Sequence, residues 1–124
     1  MEDEKQRIFL RLRSLISSYV PPLIVAIDAD EHYEIKGTKN VTVGKRKVNG
    51  MFFASSVIRK HYVGFYFFPI YTHRENFSDT PEHLMKLLKG KSCFHIKKYD
   101  DAVFGAIEQI LVKGFEIYKE DGWI

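Results

Sequence analysis

Cysteine is almost absent: Cys93 stands alone, so no disulfide can close within the chain and the staples of small secreted domains are excluded. A lone thiol fits a reducing compartment, and the expected location is the cytoplasm; the sequons Asn40-Val41-Thr42 and Asn76-Phe77-Ser78 then carry no glycan. Long hydrophobic runs are missing too. The longest, Tyr62 to Tyr71, is about half of the roughly 20 residues a membrane helix needs, so no membrane partner is expected. The opening Met1-Glu2-Asp3-Glu4-Lys5 is acidic where a secretory leader is basic, and no apolar stretch follows it, so the mature chain is expected to begin at Met1. Charge of one sign is scarce as well: 19 basic residues stand against 16 acidic ones, a net charge of +3. There is no internal repeat and no low-complexity segment.

What is present is a compositionally ordinary globular chain of 124 residues, 45% hydrophobic and 28% charged but rich in aromatics at 15%. That length suits one domain, 1–124, with one core. Ile8, Phe9, Leu12, Leu15, Ile16 and Tyr19 recur at helical spacing, which predicts an amphipathic helix ended by Pro21-Pro22. Extended segments are predicted at Leu23–Ile27 and His32–Lys36, and again at Asn40–Lys45 and Met51–Ile58, with a turn over Lys47–Gly50 between the last two. In the strand from His61 to Phe68, Val63, Phe65 and Phe67 fall on one face and Tyr62, Tyr66 and Phe68 on the other. A strand apolar on both sides reads as central, with its second face covered by the chain itself or by a second subunit. Thr80-Pro81-Glu82 reads as the N-cap and first turn of a two-turn helix stopped by Gly90. A strand at Ser92–Lys97 and a final helix capped by Asp100 or Asp101 complete the order.

Three stretches resemble the signature segments of the YdhG-like family of small bacterial domains: Tyr62-Val63-Gly64-Phe65-Tyr66-Phe67, then Gly90-Lys91-Ser92-Cys93-Phe94-His95-Ile96-Lys97-Lys98, and the terminal Gly122-Trp123. The resemblance runs from the first helix to the last residue. It implies an α+β fold, an antiparallel sheet of about five to six strands packed against N- and C-terminal helices. Some relatives are described as frataxin-like intracellular iron chaperones, and no accepted catalytic motif comes with the family.

Chemistry-bearing residues are few. Asp28, Asp30, His32 and Glu34 would share one face of an unbroken extended chain, and oxygen with imidazole suits iron. Same-face neighbours in a strand lie about 6.8 Å apart, so at most two of the four reach one ion, and a solvated acidic loop leading into a strand is the favoured reading. Cys93 and His95 share a face of the last strand, but a cysteine between Ser92 and Phe94 reads first as a small buried hydrophobe. His95 beside Lys97 is less ordinary, and a buried histidine there needs a partner such as Tyr62, Tyr66 or Tyr99. Gly90-Lys91-Ser92 lacks the upstream glycine of a phosphate loop and runs from helix to strand, the reverse of that loop's order. His32, His73 and His83 read as surface or cap residues, and no Ser-His-Asp arrangement is evident.

Lys36, Lys39, Lys45, Arg46 and Lys47 fall near one predicted turn, Arg59 and Lys60 at another, and Lys86, Lys89, Lys91, Lys97 and Lys98 farther on. Together they are a candidate basic face that attracts phosphates, although solvating turn and edge-strand residues that discourage strand pairing are the favoured reading. Nucleic acid is disfavoured as a partner, because the aromatics sit within apolar runs instead of interleaving with the lysines as a base-stacking platform requires. The expected function is a non-catalytic module that binds a small molecule, an anion or a metal ion in an aromatic-lined cleft around Tyr62, Tyr66, His95 and Lys97. A homodimeric interaction module and an iron chaperone are the alternatives, with iron the one cofactor considered.

Overall fold

The computed structural model describes residues 3–124; Met1 and Glu2 of the acidic opening lie outside the described residues. Helix α1 (Glu4–Ser17) starts where the Asp3 carboxylate accepts from the Lys5 amide and buries Ile8, Phe9, Leu12 and Ile16. It ends ahead of Pro21 and Pro22, both preceded by cis peptide bonds. Strands β1 (Ile24–Ala29) and β2 (His32–Lys36) form a hairpin, β3 (Asn40–Val43) and β4 (Arg46–Asn49) a second one, and β5 (Phe52–Ile58) and β6 (Val63–Phe67) follow. The short helices α2 (Pro69–Thr72) and α3 (Glu82–Met85) precede β7 (Leu88–Lys89) and β8 (Cys93–Ile96), and the 20-residue α4 (Asp101–Glu120) closes the chain. The fold is α+β. One antiparallel sheet of six strands runs in the order β1-β2-β5-β6-β8-β7, beside a separate two-stranded hairpin of β3 and β4.

Two local expectations are corrected. The second hairpin turns at Gly44-Lys45, not over Lys47–Gly50, so Arg46–Asn49 is itself a strand paired with Asn40–Val43. Gly44 has φ +62°, the left-handed backbone a two-residue hairpin turn requires and glycine adopts without a Cβ penalty. The expected two-turn helix stops after one turn at Met85, and Leu88 and Lys89 pair with Phe94 and Cys93 as an edge strand. Its cap differs as well: Pro81 holds that position, while the Thr80 hydroxyl donates to the Phe77 carbonyl.

Both long helices lie on one side of the sheet. That face carries Ile35, Phe53, Ala54, Val63, Phe65, Phe67, Phe94 and Ile96, all buried in one cluster with the apolar stripes of α1 and α4. A bulge makes the packing possible: Ile35 pairs with Ala54 but Lys36 with Phe52, so Phe53 is extra and points to the helices beside Ala54. There the Phe53 ring meets Phe67 at 5.8 Å and Tyr118 at 5.4 Å. Helix α4 approaches closely at Gly114, where a Cβ would sit 2.5 Å from the Phe67 ring.

Strand β6 is an inner strand, between β5 and β8, and its Val63, Phe65 and Phe67 are fully buried. Its other face is covered by neither long helix; the chain's own rings lie on it. The rings cover the sheet themselves: Tyr62 lies flat on His95 at a centroid distance of 3.7 Å and 11° between planes. Tyr66 lies across the bare backbone of Gly64, where a Cβ would meet its ring at 2.9 Å, and Phe68 packs on Phe52 and Tyr71. Amphipathic rings with one wet surface suit that role.

Candidate functional site

Strand alternation decides which side chains share the open face. In β8, Phe94 and Ile96 turn to the helices, so Cys93 and His95 turn outward opposite Tyr66 and Gly64. Lys89, paired with Cys93 in β7, falls on the same side. Lys89 and Lys97 both act on His95: loss of hydration first, and then these two ammonium groups, hold its imidazole below the ordinary histidine range. It is therefore a neutral ring at pH 7, stacked on Tyr62.

His95 and Lys97 line a cavity of about 380 Å³ between β7, β8, α3 and the start of α4. Leu87, Ile96 and Val103 give it apolar walls, and Lys86, Lys89, Lys97 and Lys98 with His83 and His95 supply the polar groups. Asp100 is the one carboxylate lining it among the described residues, and it accepts from the Ala102 amide at 3.0 Å as the cap of α4. His83 places Nε2 3.3 Å from the Ala102 carbonyl. Four ammonium groups around one occupied carboxylate give the cavity a positive potential, which apolar walls of low dielectric reinforce.

Of the four residues expected at the site, the structure gathers Tyr62, His95 and Lys97. Tyr62 meets His95 by stacking, while Tyr99, another expected partner, packs on Phe104 away from this face. Tyr66 belongs to the same open face but to a neighbouring group. Arg59 Nη2 donates to its phenolic oxygen at 2.8 Å, and the guanidinium sits 5.7 Å from its ring centre. Half-buried Cys93 lies beside Tyr66, and burial pushes its thiol up, so it is a protonated thiol and not a nucleophilic thiolate.

The acidic segment does not converge. The hairpin turn at Asp30-Glu31 interrupts the extended chain, so Asp28 pairs with Tyr33 on the helix side while His32 and Glu34 face the open side. Asp28 accepts from Arg13 Nη2 at 2.9 Å, and His32 Nε2 lies 3.3 Å from Glu34 Oε1. Among the described residues no three or more His, Cys, Asp and Glu side chains group as metal ligands do. One-face alternation requires an unbroken strand, and this one turns after Ala29.

His73, expected as a surface or cap residue, is the C-cap of α2, and its side chain makes contacts that no local pattern signals. Its Nδ1 lies 2.8 Å from the Thr72 hydroxyl and its Nε2 2.5 Å from Asp121 Oδ2, with Trp123 edge-on at 5.1 Å. The line Thr72, His73, Asp121 clasps α2 to the end of the chain, across 48 residues of sequence. No local pattern signals such a contact. Nor does sequence distinguish Lys86, Lys89 and Lys98 from the other basic groups at Lys36–Lys47 and Arg59-Lys60, for which a solvating role is the favoured reading.

Set against known proteins, the chain matches no family model, no curated protein and no solved structure. Among the described residues no helix is long and apolar enough to cross a membrane.

Proposed function

We propose that this protein is a non-catalytic binding module for an anionic small ligand, held in the cavity beside His95 and Lys97. One observation carries this: Lys86, Lys89, Lys97 and Lys98 line a space of about 380 Å³ in which Asp100, the cap of α4, is the single carboxylate among the described residues. An anion there neutralises four mutually repelling ammonium groups. The neutral His95 ring offers a further hydrogen-bond donor, and Leu87, Ile96 and Val103 keep the contact partly dry. Nothing in the arrangement resembles a reaction centre, since the nearest thiol is held protonated and no general base pairs with a nucleophile at the cavity.

Calorimetry with inorganic pyrophosphate tests this directly. Binding by the wild type, weakened at least ten-fold in Lys97→Gln and in Lys86→Gln, supports it. Equal heats from wild type and both variants refute it.

A second assignment, a homodimer, draws on β1. It is an edge strand whose Ile24 and Val25 are 42% and 39% exposed, and an apolar edge is a template for pairing with another strand. Sedimentation at micromolar concentration distinguishes a dimer from a monomer.

A further inference from the structure

The interleaving of aromatic and cationic groups that is missing along the sequence is present across the open face of the sheet. Each outward tyrosine there has a basic neighbour from another segment of the chain. Tyr62 is stacked on His95, which Lys89 and Lys97 flank. Tyr66 carries Arg59, bonded to its hydroxyl and standing 5.7 Å from its ring centre. Tyr71, 46% exposed and packed on Phe68, has Lys91 Nζ 5.1 Å from its ring centre. The one carboxylate facing outward from β2, Glu34, is paired with His32.

We infer that this face binds single-stranded nucleic acid, with bases on the rings of Tyr62, Tyr66 and Tyr71 and the backbone following Arg59, Lys91, Lys89 and Lys97 into the lysine-lined cavity. The inference rests on the anion-binding assignment of that cavity and names the chemistry of its ligand. Charge complementarity selects the partner, because four permanent cations face outward around the rings while Glu34, the one carboxylate facing outward from β2, lies 3.3 Å from His32. The form of the rings selects a single strand. Tyr62 lies flat against the sheet with one π-face used by His95, and such a platform receives an unstacked base. Stacking on flat rings is tolerant of base identity, so little sequence preference is expected.

Fluorescence anisotropy with a labelled oligothymidylate of about twelve nucleotides, within the range of small single-strand binding domains, provides the test. Expected results are binding that weakens as salt rises, no comparable binding of a duplex of equal length, and a loss of at least about five-fold in Tyr62→Ala that Tyr62→Phe does not show. Retention of the phenylalanine variant's affinity separates a stacking role from a folding defect. Pyrophosphate binding that depends on Lys97, without oligothymidylate binding, would overturn this inference and leave the anion assignment standing. Equal binding of oligothymidylate and a polyglutamate peptide, indifferent to Tyr62→Ala, would also overturn it, as charge alone would then account for the affinity. Failure of both pyrophosphate and oligothymidylate to bind removes the two together.

Discussion

Two glycines of α4 should respond oppositely to the same substitution. In a helix interior alanine is favoured over glycine by about 0.5 to 1 kcal/mol, because glycine loses more backbone freedom on folding. At Gly105 a Cβ meets nothing within 4 Å, so Gly105→Ala should gain that amount in full, raising Tm by about 2 to 4 °C for a domain of this size. At Gly114 the same Cβ would lie 2.5 Å from Phe67 Cζ and 3.0 Å from Pro69 Cγ. Neither neighbour gives easily, since Phe67 is fully buried against Phe53, Phe65 and Phe77 and the proline ring is rigid. Overpacking of this kind costs about 1 to 3 kcal/mol, and a contact so far inside van der Waals distance belongs at the upper end. Net of propensity, Gly114→Ala should lose about 2 kcal/mol. Urea unfolding of both variants, with m-values compared to confirm two-state behaviour, measures the difference. Midpoints of the two variants that coincide, or that move together in the stabilising direction, would show that α4 does not seat on Phe67 as described.

Other outcomes follow from the same packing. Phe65→Ala, at a fully buried site of the inner strand, should cost about 3 to 5 kcal/mol, whereas Lys60→Ala at an exposed turn should stay within about half a kcal/mol; similar urea midpoints would contradict the placement of β6. Ser56 is fully buried and its hydroxyl has no hydrogen-bond partner among the described residues. Ser56→Ala should therefore be neutral or stabilising by up to about 1 kcal/mol, and a marked thermal destabilisation would show that the hydroxyl has a partner after all. Because His95 has its imidazole held below the usual range, the group contributes nothing while neutral in both states. On acidification the unfolded chain takes the proton first, so stability falls below about pH 6.5. His95→Gln should flatten that part of the pH profile, and an unchanged profile would refute it.

The helices and most strands were legible because their signals are local. The stripe from Ile8 to Ile16 and the alternation of Val63, Phe65 and Phe67 each lie within one segment, and the faces they predict are the faces buried. The errors sit where one residue changes a register. Turning at Gly44-Lys45 makes Arg46–Asn49 a strand, and turning at Asp30-Glu31 sends Asp28 to the face opposite His32 and Glu34. The apolarity of β6 on both sides says that its second face is covered, but not whether by a helix, a second subunit or, as here, rings of the chain lying on their own sheet. For the site, Tyr62, His95 and Lys97 were readable as neighbours through strand spacing. The contacts of Arg59 with Tyr66, of Lys91 with Tyr71 and of His73 with Asp121 are products of the tertiary fold and leave no trace in local sequence.

The most direct test of the anion-binding cavity is an NMR titration of His95 across the histidine range, without and with inorganic pyrophosphate. A bound anion offsets the repulsion from Lys89 and Lys97, so the midpoint of His95 should rise in its presence, with amide shifts confined to His83, Lys86 and Lys97-Lys98 around the cavity. An unchanged His95 midpoint, or shifts spread equally to the distant lysines of the β3–β4 hairpin, would contradict it.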